Sequence, residues 1–478
     1  MGGGDGKRAG ADRGSGKQGN PTPANPDTHP AKSAIPLAAG PAPPRCETGP
    51  AAPGRPGPPV SSSRRPHASA VEPPTATDRP IDALNPFVAS MQPSATLVVS
   101  ARAAALKRAG RDVIALSAGE PDFPTPAPIV EAAHQALRDE RFHYTPNAGL
   151  PELREAIAAK LTLENGLDVC AAQVLCSNGA KQSVAQALLA TCAPGDEVLI
   201  PAPYWVSYPE MARLAGATPV PLATTAANGY RITPDQLEAA LTPKTRALLL
   251  NSPSNPTGAV YSRDQLEALA AVLRRHPGVL VVSDEIYEYV VFDVEHVAFG
   301  SLDGMGERTV TVNGFSKGFA MTGWRLGYLA GPPWLVEAAS TVQSQLTSGP
   351  SAITQYASLA AFTMDRAPIE AMVAAFRERR DAVLARLRAI DGIDCPRPDG
   401  AFYLFPDVSA FFGRTAPDGT TIASSLDLCT YLLDDHSVAL VPGEAFGDPS
   451  GLRISYATDL DTLMRACDRI EAGLAALA

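Results

Sequence analysis

Short apolar runs take turns with helix-patterned stretches through the middle of the chain. VIALS (113–117), EVLI (197–200), ALLLN (247–251), VLVVSDE (279–285) and TVTVN (309–313) alternate with segments such as PELREAIAAKLTLE (151–164) and 263–275. No other feature restricts the fold more. A strand with one wet face alternates apolar and polar residues, whereas these runs are almost continuously aliphatic, so both of their faces must be covered. Helices between such strands supply the cover and the crossover, the pattern of a mostly parallel sheet in an α/β protein. A long helical stretch over 366–389 then leads to another rhythm: FYLF (402–405), VALVP (438–442), LRISY (452–456) and a last helix over 459–476. That rhythm predicts a smaller α+β domain.

Residues 1–80 are a different kind of polymer. They are crowded with Gly, Pro, Ser and Ala, and 41–60 alone hold eight prolines. Such a segment cannot bury enough apolar surface to offset its chain entropy, so a disordered tail is expected. It contains no apolar core of a secretory signal. It carries ten Lys/Arg against six Asp/Glu, so the acidity behind the formal charge of −10 lies in residues 81–478. That acidity argues against nucleic acid as a partner. No apolar run reaches the roughly 18 residues of a membrane span. Seven cysteines (46, 170, 176, 192, 395, 429, 467) form no CxxC pair. They read as reduced thiols of a cytoplasmic protein, with neither a disulfide framework nor a metal site.

In doubly wound α/β proteins ligands gather at the C-terminal ends of the strands, and polar clusters follow the runs here. LCSNGAKQS (175–183) reads as strand, small-residue turn and helix start. Gly179 and Ala180 permit close backbone approach, and a helix N-terminus attracts an anion. VVSDEIYEYV (281–290) ends a buried strand in Ser283, Asp284 and Glu285; NSPSNPTG (251–258) places Asn255 in a loop; PAPYWVSY (201–208) sets aromatics after a strand. TVNGFSKGFAMTGWRLGY (311–328) holds Lys317, with no carboxylate within several residues, and Arg325 eight residues later. Each cluster alone has an ordinary reading as a cap, a turn, aromatic packing or a surface lysine stem. Those readings do not explain why all of them occur in order at successive strand ends. A pyridoxal phosphate enzyme needs the whole set. It requires a lysine for the Schiff base, a carboxylate for the pyridine nitrogen, an arginine and backbone N–H groups for the phosphate, and an aromatic face against the ring. The same lysine, once displaced, can act as general base.

PSAT (93–96), AGEPDF (118–123), YTPNAGLPELREAI (144–157), PYWVSYPEM (203–211), NSPSNPTGAVY (251–261), SDEIYE (283–288), SKGFAMTGWRLGY (316–328), GAFY (400–403) and LRISYAT (452–458) follow one another along the chain. On these motifs, from about residue 85 to the end, the sequence resembles class I aminotransferases of pyridoxal-phosphate fold type I, and most resembles the Iβ subgroup of aspartate aminotransferases. The resemblance implies an α/β fold whose large domain, 126–365, is a mostly parallel seven-stranded sheet covered by helices. It implies an N-terminal arm with part of the small domain over 81–125 and a small α+β domain over 366–478. It also implies pyridoxal 5'-phosphate as cofactor and no metal. Lys317 is then the Schiff-base lysine and proton shuttle, Asp284 the partner of the pyridine nitrogen, and Tyr287 and Asn255 the donors to the ring oxygen. Trp205 stacks on the ring, while Arg325, Ser316, Gly179 and Ala180 hold the phosphate. Tyr144 reaches the phosphate of a partner subunit in a homodimer with shared sites.

Arg453 matches the arginine that clamps a substrate α-carboxylate, helped by Asn255 and Gly119, a contact that fixes which bond at Cα breaks. Lys181 and Thr96 match positions that bind a distal carboxylate. The family's usual GGK reads GAK here, and Gln92 stands where relatives often carry a basic residue. The expected reaction moves an amino group between L-aspartate and 2-oxoglutarate, giving oxaloacetate and L-glutamate. Prephenate transamination is the alternative, and alanine, aromatic or methionine-type donors stay open. A regulator with an aminotransferase-like domain would need a basic recognition segment that 1–80 lacks. A fold type I lyase would keep Lys317 and Asp284 without the acid-binding lysine.

Overall fold

Four of the five aliphatic runs enter one large sheet with helices on both faces. The computed structural model describes residues 84–478, so the tail expected over 1–80 lies outside the described residues. Strand β1 (Ile114–Ala115) precedes seven strands: β2 (Val174–Ser177), β3 (Glu197–Ala202), β4 (Thr218–Ala223), β5 (Thr245–Asn251), β6 (Leu280–Asp284), β7 (Thr309–Gly314) and β8 (Gly327–Ala330). These seven form one sheet in the order β2-β8-β7-β6-β5-β3-β4. All neighbours run parallel except β8, which is antiparallel to both β2 and β7. Successive residues of β5 bury to opposite sides. Ala247 and Leu249 pack with the helices Ala180–Thr191 and Pro333–Leu346, and Leu248 and Leu250 with the helix Arg263–Arg274. That two-sided burial is why the run shows no alternation.

One run goes elsewhere than its pattern suggested. VIALS leaves the large sheet alone, and β1 pairs in parallel with β10 (Val438–Ala439) instead. Strand β9 (Tyr403–Leu404), β11 (Val441–Pro442) and β12 (Leu452–Ser455) make a separate sheet in the order β11-β12-β9. VALVP is thus split at Leu440 between two sheets. Strand β4 went unread because Pro219 and Pro221 interrupt it; prolines are tolerated there because β4 is an edge. Helices Ala367–Arg388 and Leu460–Ala475 fall where their periodicity placed them. A continuous core links the layers, with Tyr287, Phe315, Phe376, Phe402 and Tyr456 in one cluster.

Register fixes the site. Asn251 at the end of β5 lies beside Asp284 at the end of β6, and Asp284 beside Val312 of β7, five residues before Lys317. Because β8 is inserted between β2 and β7, Gly327 pairs with both Ser177 and Gly314. That insertion brings Arg325 against the Gly179–Ala180 turn. No helix among the described residues is long and apolar enough to cross a membrane.

Candidate active site

A cavity of about 330 Å³ opens at these strand ends, within the size range of small-molecule sites. It is lined by Thr96, Gly119, Ala180, Lys181, Trp205, Asn255, Asp284, Tyr287, Ser316, Lys317, Arg325 and Arg453. Gly179 stands just behind the lining. Its φ of +88° suits glycine, and a Cβ there would collide with the Arg325 guanidinium.

Lys317 sits in the loop between β7 and β8, half-buried, and its Nζ donates to the Gly119 carbonyl. Tyr287 and Phe402 rings lie 5.9 Å from it. No carboxylate pairs with it among the described residues. Burial holds the amine down to about 8, with Arg453 and Arg325 adding to the effect while Glu120 and Asp284 oppose it. A lysine so placed exchanges its proton near neutrality, as a nucleophile or base must.

Asp284 is buried at the tip of β6. Tyr208 Oη donates to its Oδ2 at 2.7 Å and the Ile286 amide to Oδ1 at 3.3 Å. Burial pushes the carboxyl up to about 6, against the lowering effect of those two donors. A buried carboxylate with no bonded cation has room for one, and a protonated ring nitrogen fits that need. Asn251 ties two neighbours together: its Nδ2 donates to the Asp284 carbonyl at 2.8 Å and its Oδ1 accepts from the Asn255 amide at 2.8 Å.

The phosphate-like end is built from the N-terminus of the helix Ala180–Thr191, Ser316 and Arg325. Arg325 has φ +56°, and its guanidinium donates to the carbonyls of Thr322 (2.8 Å) and Asn178 (3.2 Å). It meets no carboxylate among the described residues. A non-glycine residue held at positive φ beside a helix N-terminus is strain of the kind that collects at ligand sites.

Arg453, on β12, is fully buried. Nη1 donates to Asn255 Oδ1 at 3.0 Å and Nη2 to the Ser117 carbonyl at 2.7 Å, while Nε has no partner among the described residues. Tyr403 and Phe446 rings flank the guanidinium at 4.6 and 5.1 Å. A buried cation with neutral acceptors and a spare donor suits an incoming carboxylate. Lys181, solvent-exposed at the cavity's open side, has its Nζ 4.9 Å over the Trp205 ring, and partial desolvation with the nearby Arg325 charge lowers its pKa. Thr96, at the start of the helix Ala95–Arg108, also lines the cavity.

Of the residues expected from sequence, Tyr144 alone lies apart from the cavity. Its side chain is fully exposed, beside Phe142 and the 349–353 segment. Three contributors lie outside the residues expected from sequence: Asn251, Tyr208 and Tyr403. Tyr208 opens the helix Tyr208–Leu214 three residues after Trp205, and the two rings meet edge to face at 5.3 Å. Tyr403, in GAFY, shares a 2.9 Å hydrogen bond with Tyr287 through their hydroxyls. No group of His, Cys, Asp and Glu among the described residues suits a metal ion.

Residues 111–470 match the family model described as aminotransferase class I and II. A Petunia hybrida protein named bifunctional aspartate aminotransferase and glutamate/aspartate-prephenate aminotransferase is 54% identical over 82% of this chain and 82% of its own length. The crystal structure of the Rhizobium meliloti aspartate aminotransferase is 45% identical, with a TM-score of 0.80 over 83% of this chain and 99% of that one. The Thermus thermophilus aspartate aminotransferase with maleate is 44% identical, with a TM-score of 0.77 over 81% and 99%.

Proposed function

The chain belongs to the class I and II aminotransferases, a pyridoxal-phosphate-dependent family of fold type I, and from that premise we propose that it moves the amino group between L-aspartate and 2-oxoglutarate. The observation that carries the substrate class is the pair of cations in one cavity, Arg453 deep and Lys181 near the mouth, with no carboxylate bonded to either among the described residues. Two separated cations suit a dicarboxylic acid.

When bound, pyridoxal phosphate supplies an aldehyde that links to amines and a ring that withdraws electrons from the substrate's Cα. The chain's residues do the rest. Arg453, with Asn255 and the backbone at Gly119, grips the α-carboxylate and so fixes which Cα bond lies toward the ring. Lys317, its pKa low enough to leave it partly neutral at neutral pH, takes the Cα proton on Nζ and returns it. Asp284 keeps a proton on the ring nitrogen. Tyr287 and Asn255 hydrogen-bond the ring oxygen and Trp205 covers a ring face. Arg325, Ser316, Gly179 and Ala180 hold the phosphate. Lys181 and Thr96 take the distal carboxylate.

Tyr144 is assigned to the site of a second copy of the chain, a homodimer with shared sites; its complete exposure away from its own cavity supports this. The described cysteines, all free and most of them buried, suit a cytoplasmic setting. Prephenate is the second reading, supported by the name of the petunia relative. Purified protein assayed with 2-oxoglutarate against aspartate, alanine and phenylalanine, and with prephenate against aspartate and glutamate, tests the assignment. Aspartate is expected to be the best donor to 2-oxoglutarate. A preference for alanine or phenylalanine would remove the dicarboxylate reading.

A further inference from the structure

Residues 284–288 divide between two surroundings. Asp284 and Tyr287 line the cavity, whereas Glu285 and Glu288 turn into a buried polar cluster behind it. Glu285, 1% exposed, accepts from Ser283 Oγ at 2.7 Å and from the Phe299 amide at 3.1 Å, and its other oxygen meets His296 Nε2 at 3.2 Å. Glu288 is ion-paired with Lys160 Nζ and accepts from Asn165 Nδ2 at 2.7 Å. Lys160 also donates to Asn165 Oδ1 at 2.7 Å, and the half-exposed Glu164 lies 3.9 Å away. The Lys160, Glu288 and His296 side chains are 4%, 5% and 8% exposed.

Two carboxylates shut away from water call for two cations. Lys160 is one, and His296, when its ring is protonated, can supply the other. With His296 neutral, the quartet would carry an uncompensated buried negative charge. The contacts of Glu285 tie the far end of the following loop, at His296 and Phe299, to the strand end that bears Asp284. Among the described residues His296 Nδ1 has no partner, and Glu285 is the hydrogen-bond partner that orients the ring.

We propose that His296 is a positioning residue whose proton completes a charge-neutral quartet with Lys160, Glu285 and Glu288, and that this quartet holds Asp284 and Tyr287 where the cofactor needs them. The proposal rests on the pyridoxal phosphate reading of the cavity. Burial and Lys160 push the imidazole down, but the hydrogen bond and charge of Glu285, with the charge of Glu288, outweigh them and raise it above its ordinary value. A group whose folded pKa is raised contributes at low pH and loses that contribution as pH rises through the folded value. Cofactor affinity should therefore weaken on the alkaline side.

The test uses pyridoxamine 5'-phosphate, which makes no covalent link to Lys317; titration of that amine is common to wild type and variants, so the comparison between them cancels it. Its Kd is followed by tryptophan fluorescence from about pH 6 to pH 9 in the wild type, His296→Gln and Glu285→Gln, and the histidine rings are titrated by NMR, with His296 assigned by its loss in the variant. Wild-type Kd is expected to rise about three- to tenfold more across this range than that of His296→Gln, one pKa unit of linkage being tenfold. The His296 ring should titrate above about 6.5 and move lower in Glu285→Gln. If His296→Gln does not fold, Glu285→Gln alone must show both effects. A Kd ratio that is flat with pH, or a ring that titrates at or below its ordinary value, overturns the proposal. Wild-type protein that binds no pyridoxamine phosphate at any pH overturns the cofactor reading and this inference with it; the first kind of failure leaves binding intact.

Discussion

Replacing Arg453 by methionine should separate stability from function. In the ligand-free protein this guanidinium is fully buried, has two neutral acceptors at 3.0 and 2.7 Å, and leaves Nε without a partner among the described residues. Removing it strands the Asn255 and Ser117 oxygens, at about 1 kcal/mol each. It also removes a buried charge that has no carboxylate partner among the described residues, and relief of its desolvation offsets that loss. Exchange of buried ionic groups for apolar ones of like volume ranges from neutral to stabilising by about 1–4 kcal/mol. The terms nearly cancel, so unfolding stability should change by no more than about 2 kcal/mol. The substrate's carboxylate has no such compensation. Truncating one member of a buried, hydrogen-bonded charge pair costs about 2–5 kcal/mol, which at 1.4 kcal/mol per decade is a loss of about 30- to 4000-fold in kcat/KM. Urea unfolding of the cofactor-free protein and steady-state kinetics measure the two quantities. An activity within about fivefold of wild type would refute the clamp. A destabilisation above about 4 kcal/mol would show that Arg453 is structural.

Three further outcomes rest on the same geometry. The Asp284 carboxyl, raised to about 6 from 3.8, favours the protonated folded state, so the cofactor-free protein should gain stability as pH falls from about 6 towards 4. Asp284→Asn should flatten that slope and stabilise the cofactor-free protein by up to about 3 kcal/mol at neutral pH, read by chemical unfolding, while abolishing most activity. Tyr208→Phe removes a 2.7 Å donor that favours the ionised carboxylate, so the acid limb of the pH–rate profile should move to higher pH by about one unit; an unmoved limb rejects Tyr208 as the group that tunes Asp284. Lys181→Ala should lower kcat/KM for aspartate about three- to tenfold more than for alanine, a modest factor because Lys181 is exposed in this chain. Equal losses for both donors would reject its contact with a distal carboxylate.

The parts of the fold that could be read were those where burial dictated residue type. Runs such as ALLLN have no polar positions because β5 is covered on both faces. VIALS looked the same, yet only two of its residues pair, and with β10; composition records burial, not the identity of the neighbouring strand. Strand β8 was hidden inside a Gly-rich motif because it is four residues long and is wedged between β2 and β7, where Gly327 lets the Ala180 backbone approach. In the cavity, residues that end strands or begin helices were legible since topology sends them to one edge. Tyr208 and Tyr403 were not singled out because an aromatic near a strand is ordinary packing until its hydroxyl is seen to meet Asp284 or Tyr287. The His296 contact with Glu285 was likewise invisible, the two being separated by a loop whose path no local pattern encodes.

The claim on which the rest depends is that the Lys317 amine is the point of covalent attachment for pyridoxal phosphate. Borohydride reduction of the purified protein with its cofactor, followed by peptide mass mapping, tests it directly. A phosphopyridoxyl group on Lys317, with no such adduct in Lys317→Ala, is the expected result. A label on another lysine such as Lys181, or none in protein that turns over substrate, would contradict the account.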